Sequence, residues 1–138
     1  MKVTLNYSEK MHFKASARHF EVHLDEPESF HGTDLAPSPI EYFLIGTGGC
    51  IGSTFIFCLQ KHKLAFESFK VIVDGTLQHV GPKNRLKLVK IDIELLVSLN
   101  ESVSKEKLDI CNKTFQDYCP ISDVITQKIP LNVKVISQ

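Results

Sequence analysis

Four cysteines, at positions 50, 58, 111 and 119, are the residues of this chain best suited to chemistry. Two of them have special neighbours. Cys50 follows Gly48-Gly49, and Cys119 stands directly before Pro120. A glycine inside a helix costs about 1 kcal/mol relative to alanine, so Gly46, Gly48 and Gly49 need a reason. One reason is close approach of another backbone. Another is a kink that restarts the helix at Cys50 and aims free backbone N–H groups at its sulfur, which lowers a thiol pKa. The plainer reading of Cys50 is an inert buried cysteine. If the sulfurs of Cys50 and Cys119 meet, they form a redox pair. One thiolate attacks an oxidant and becomes a sulfenic acid, and the other condenses with it to a disulfide. Cys58 and Cys111 lie on apolar stretches and read as core. No CxxC or compact framework spacing is present, so structural zinc is not expected, and reduced thiols in a cytoplasmic protein are the plain reading.

The element that must position Cys50 is a buried helix from about Ser38 to Lys63. Ser38 and Pro39 are an N-cap residue and a first-turn proline, with Glu41 three residues after Ser38. The run that follows is apolar nearly all round, and its glycines and length argue against a membrane span. Residues 2–7 alternate as a strand does, and 8–12 form a turn. Residues 13–25 continue as one or two strands, with Phe20, Val22 and Leu24 on one face and His19, Glu21 and His23 on the other. His19 and His23 have no third ligand nearby, and a solvated face accounts for them. Residues 26–37 are loop.

Residues 69–79 and 85–99 form a long β-hairpin about Gly81 and Pro82, with a bulge where the alternation slips between Leu88 and Ile91. A second helix runs to Tyr118, Pro120 ends or restarts it, and residues 122–127 form a short third helix. Residues 131–137 read as a final strand. The order gives one α+β domain over 1–138 with a mostly antiparallel sheet. The 16 basic and 16 acidic residues balance, which gives no electrostatic case for nucleic acid or an anionic membrane. The N-terminus lacks the apolar core of a signal peptide.

The stretch from Ser38 to Cys50, the long hairpin, and then Tyr118-Cys119-Pro120-Ile121-Ser122 together resemble the OsmC/Ohr family, the osmotically inducible and organic hydroperoxide resistance proteins. The resemblance spans about residues 3–136. It implies an antiparallel sheet wrapped around a long central helix in an intertwined homodimer, with active sites at the subunit interface. It implies a thiol-dependent peroxidase with no metal or organic cofactor. Cys50 would attack the peroxide, Cys119 would resolve the sulfenic acid, and a dithiol would reduce the pair. An apolar lining from Phe43, Phe55 and Phe115 suits organic hydroperoxides, fatty-acid hydroperoxides among them.

The chain departs from the hydroperoxide resistance branch at two places. That branch has glutamate directly after the proline matching Pro39. Here Ile40 stands there and Glu41 comes one later, a rotation of about 100° on a helix. The branch also carries an arginine in an early turn, where this chain has Lys10, with Arg18 a few residues on. Arg18 or Lys10 is expected near Cys50 together with Glu41. On a straight helix Glu41 and Cys50 are about 13 Å apart, so contact requires a break at the glycines or the second subunit. The plain readings are a capping carboxylate for Glu41 and a solvent-facing residue for Arg18. The competing functions are a non-catalytic or redox-sensing protein of this fold, and a small-ligand binder or thioester hydrolase.

Overall fold

Alternation of apolar and polar residues from Val3 to Leu24 becomes three antiparallel strands: β1 (Val3–Glu9), β2 (His12–Ala17) and β3 (Phe20–Leu24). The computed structural model describes residues 1–99 and 105–126, which fall into two units, Met1–Gly46 and a second from Thr47 onward. Across the first sheet Val3 pairs Ala17 and Ala17 pairs Phe20, while Leu5, Ala15 and Val22 form the next row, followed by Tyr7, Phe13 and Leu24. Every member of these rows is apolar, so the period-two pattern gives one wholly apolar sheet face. Both hairpin turns are two residues long, and Lys10 (φ 47°) and Arg18 (φ 57°) take left-handed backbone in them.

After β3 the loop is organised by Asp25, which has no solvent exposure. Its carboxylate accepts hydrogen bonds from the backbone amides of Glu26, Thr33 and Leu35 and from the Thr33 hydroxyl. The Thr33 hydroxyl, with the Leu35, Thr33 and Glu26 amides, outweighs burial and holds the carboxyl at a pKa of about 2. These bonds satisfy loop amides that no strand or helix partners.

Helix α1 (Pro39–Lys61) is continuous over 23 residues. By length and composition it is long and apolar enough to cross a bilayer, so the expectation that its glycines would interrupt it does not hold. Its Phe55, Cys58 and Leu59 instead pack into the core of the second unit with Leu64, Cys111 and Phe115. The Phe55 ring stacks on Phe69 at 5.8 Å and meets Phe115 edge-on at 5.2 Å.

Two strands, β4 (Phe66–Val80) and β5 (Arg85–Leu99), pair antiparallel as the long hairpin. Thr76 lies opposite Lys90 and Leu77 opposite Leu88, which makes Val89 the extra residue of the expected bulge. The turn closes with Gly81 at φ 73° and the Asn84 amide on the Gly81 carbonyl at 3.0 Å. Gly48 and Gly52, one helical turn apart, give β4 its close approach to α1. A Cβ on Gly48 would lie 2.5 Å from a Val73 methyl, and one on Gly52 would lie 2.8 Å from a Val71 methyl. Gly46 and Gly49 meet nothing within 4 Å. Close approach thus explains one of the three glycines singled out from sequence, and a fourth, Gly52, shares the role.

Helix α2 (Lys105–Thr114) runs on into a 3-10 turn over Phe115–Tyr118; Cys119 is extended, and Pro120 opens α3 (Pro120–Thr126). The expected final strand over 131–137 lies outside the described residues.

Candidate active site

Cys50 and Cys119, separated by 69 positions in sequence, place their sulfurs 3.2 Å apart. Cys50 is half-buried on α1, whereas Cys119 is 1% exposed between the 3-10 turn and α3. Both are free thiols. The separation is a thiol–thiol hydrogen bond, and closing it to a disulfide requires approach to about 2.05 Å.

Their electrostatics overturn one expectation. The helix does not restart at Cys50, because α1 runs unbroken through it and engages its amide. The restart lies at Pro120, beside the other sulfur. Burial pushes the Cys50 thiol up, the Cys119 neighbour adds to this, and only the Ile121 amide opposes. Burial also acts upward on Cys119. There, however, the Ser122 hydroxyl, the Cys50 thiol and the amides of Ser122 and Ile121 prevail and hold the thiol below its usual range. The two sulfurs ionise as one unit, and the negative charge is favoured on Cys119.

Ser122, expected only to begin a new turn near Cys119, is therefore a candidate functional residue through its bond to that sulfur. Its signal was the Cys-Pro-x-Ser spacing, since a proline at the first helical position puts the next amides and a short hydroxyl beside the preceding side chain. A mostly apolar cavity of about 370 Å³ is lined among others by Ile51, the residue after Cys50, by Ile93, Leu95 and Phe115, and by Ser122, the hydroxyl partner of Cys119; neither sulfur lines it. Of the three phenylalanines expected to line it, Phe115 does. Phe55 is in the core, and Phe43 belongs to the N-terminal unit.

Cys58 and Cys111 are joined by a disulfide, with their Cα atoms 5.7 Å apart. Their expected place in the core holds, since both belong to the buried cluster of the second unit; the expectation of reduced thiols does not hold for this pair. Both are buried, but α1 and α2 bring them within bridging distance, and a separation of 53 positions carries no pairing signal.

Glu41 and Arg18 lie in the N-terminal unit, each with a local partner. The Ser38 amide donates to the Glu41 carboxylate at 2.7 Å, and the Glu41 amide donates to the Ser38 hydroxyl at 3.3 Å. This is a capping box, and the Ser38 bonds lower the Glu41 pKa. The exposed Arg18 guanidinium sits 5.0 Å above the Phe20 ring. Lys10 is exposed in its turn.

The sequence profile of the OsmC family, described as OsmC-like protein, matches residues 32–134. The chain belongs to the OsmC-like family. Among solved structures this OsmC-like protein is similar to an OsmC-like protein from Mycoplasma pneumoniae, with 16% identity, TM-score 0.77, and 92% of this chain and 87% of that one covered. It is similar also to an organic hydroperoxide resistance protein OsmC from Legionella pneumophila, with 16% identity, TM-score 0.64 and coverage of 91% and 88%. A third is an organic hydroperoxide resistance protein from Elizabethkingia anophelis carrying bound thiocyanate, with 16% identity, TM-score 0.65 and coverage of 91% and 87%. No curated protein matches the chain. The likeness carries the α+β fold, with antiparallel sheets and a long helix, to this OsmC-like protein.

Proposed function

We propose that this protein is a thiol-dependent peroxidase that reduces organic hydroperoxides through a Cys50–Cys119 disulfide. The observation that carries the reading is the 3.2 Å separation of two free thiols. Cys50, the more exposed sulfur, meets the peroxide, whose organic group occupies the apolar cavity beside Ile51 and Phe115. The Cys119 thiolate takes the Cys50 proton. The Cys50 thiolate then attacks the peroxide, the O–O bond breaks, and the alkoxide leaves as alcohol with the proton returned by Cys119. Cys50 is now a sulfenic acid and Cys119 is again a thiolate, held so by Ser122 and the α3 amides. Its attack forms the disulfide and expels hydroxide, which leaves as water. A dithiol reduces the disulfide and is itself oxidised. The low Cys119 pKa serves the return of the proton to the leaving alkoxide and the resolving step, where it keeps the sulfur ionised; the first transfer from Cys50 is uphill and is drawn forward by the attack on the peroxide.

Glu41 and Arg18 are the charges proposed to tune the pair. Because α1 is unbroken, Glu41 does so from a second copy of the chain, in the homodimer that the proposal includes. The apolar sheet face supports that dimer.

Intact-mass analysis after one equivalent of cumene hydroperoxide tests the roles. The wild type loses two hydrogens as a Cys50–Cys119 disulfide and consumes peroxide with a dithiol. Cys119→Ser gains oxygen on Cys50 and stalls, and Cys50→Ser consumes none. A wild type that forms no disulfide, or that consumes no peroxide, favours the non-catalytic reading. Peroxide-dependent oxygen on Cys119 in Cys50→Ser reverses the roles, an outcome that the charge on Cys119 makes worth measuring.

A further inference from the structure

The Cys58–Cys111 bridge has a third neighbour that the peroxidase reading does not use. The two sulfurs and a ring nitrogen of His62 all lie within 4.8 Å of one another. Cys58 and His62 are four residues apart, and the His62 amide bonds to the Cys58 carbonyl at 3.1 Å. That bond continues the helical course one residue past the end of α1, which brings the imidazole over the Cys58 sulfur. Cys111 approaches from α2 and is fully buried, Cys58 is 8% exposed, and His62 is half-buried. A separate cavity of about 210 Å³ opens onto the group, lined among others by Thr54, Cys58, His62, Thr114 and Tyr118.

We propose that the reduced Cys58–Cys111 pair and His62 form a zinc site, so that this bridge is a redox-gated metal switch. Two thiolates and an imidazole are ligands that zinc prefers, and three protein ligands leave a fourth position for water. Zinc–sulfur bonds of about 2.3 Å in a tetrahedron hold two sulfurs about 3.8 Å apart. The sulfurs reach that spacing by opening the bridge and rotating about Cα–Cβ, within the span the donor atoms already occupy. The cavity has room for the fourth ligand. Two thiolates neutralise the zinc charge, so Lys61 at the cavity rim does not repel the complex.

The chemistry balances in both directions. A dithiol reduces the bridge to two thiols and is oxidised to its own disulfide; zinc then binds and two protons leave. A hydroperoxide and two protons convert the bis-thiolate zinc site to the disulfide, free zinc, an alcohol and water. The site is distinct from the Cys50–Cys119 pair and stands whether or not that pair turns over peroxide.

The test uses Cys50→Ser/Cys119→Ser, which removes the other dithiol as a competing chelator. The protein is reduced with a phosphine, desalted without oxygen, and titrated with zinc alone. One zinc binds per chain when reduced and none when oxidised. Cobalt(II) in its place gives thiolate-to-metal charge-transfer absorption. His62→Ala, which leaves the bridge intact for folding, weakens zinc by more than the roughly 10–100-fold that loss of an outer-shell partner costs. If the reduced apoprotein unfolds, zinc restores its circular dichroism. The proposal is overturned if reduced protein binds no zinc, if oxidised protein binds it equally, if His62→Ala binds as tightly, or if zinc fails to restore a fold lost on reduction.

Discussion

Cys119 is a better-supported thiolate than Cys50 because Pro120 starts α3 directly after it, which brings the Ile121 and Ser122 amides and the Ser122 hydroxyl onto its sulfur. The sequence displayed the Cys119–Pro120–Ser122 spacing but not its consequence, since the benefit depends on Cys119 being extended with its side chain facing α3. Two thiols and their neighbours set the pH dependence. A peroxidase that needs a thiolate gains rate as pH rises through the first ionisation of the pair, which Ser122 moves downward. Ser122→Ala removes a hydrogen bond to the charged form, so that ionisation rises. Peroxide consumption then falls at neutral pH and converges on wild type only above the raised ionisation, where both proteins are fully ionised; a parallel profile with a uniform loss would deny Ser122 this role. Glu41 poses the opposite problem, one residue with two readings. Glutamine preserves a capping box but not the charge. We expect Glu41→Gln to lose activity while lowering the melting temperature less than Glu41→Ala, which removes the whole capping contact at a cost of about 1 kcal/mol. Full activity in Glu41→Gln would leave the carboxylate as a cap alone.

At the scale of elements, the chain was legible wherever local chemistry decides the backbone. Ser38-Pro39 and Glu41 announced the start of α1, alternation gave the strands and the bulge at Val89, and Pro120 gave the break before α3. What was illegible depends on which elements meet. Asp25 reads as the end of a strand, and its four loop donors are known only once residues 26–35 fold back on it. The glycines of α1 misled for the same reason: a helix glycine signals either a kink or a neighbour, and sequence does not say which. The structure separates them into two classes with opposite predicted behaviour. Gly48→Ala and Gly52→Ala drive a methyl into the Val73 and Val71 side chains, which are β-branched and stiff, and we expect each to cost about 1–3 kcal/mol. Gly46→Ala and Gly49→Ala meet open space and should raise stability by about 0.5–1 kcal/mol. Thermal or urea unfolding of the four variants reads both signs, and a loss at Gly49 equal to that at Gly48 would mean that close approach is not what the glycines serve.

For the whole molecule the telling feature is apolar surface that a single chain leaves in water. Val3, Leu5 and Tyr7 on β1 and Phe20 and Val22 on β3 are 40–64% exposed on one sheet face. On α1, Ile45 is 59% and Phe57 65% exposed. Scattered apolar residues are ordinary on a surface, but a contiguous apolar sheet face marks an interaction site. Its partner must be equally apolar, and a second copy supplies such a face by symmetry, since a two-fold interface sets the same patch against itself or its neighbour. Stable interfaces bury roughly 800 Å² per partner, which five large side chains and their flanking rows can furnish. The row Leu5–Ala15–Val22 runs across all three strands with Leu5 and Val22 as its exposed ends, so charges at those two positions would stand in the proposed interface. We therefore expect wild-type protein to sediment as a dimer at micromolar concentration. Leu5→Lys/Val22→Lys should sediment as a monomer with the far-ultraviolet circular dichroism of the wild type. If Glu41 tunes the thiols of the partner, the monomer should also lose peroxidase activity while its Cys50–Cys119 disulfide still forms under a strong oxidant. A wild-type chain that remains monomeric would remove both the interface and the route by which Glu41 acts.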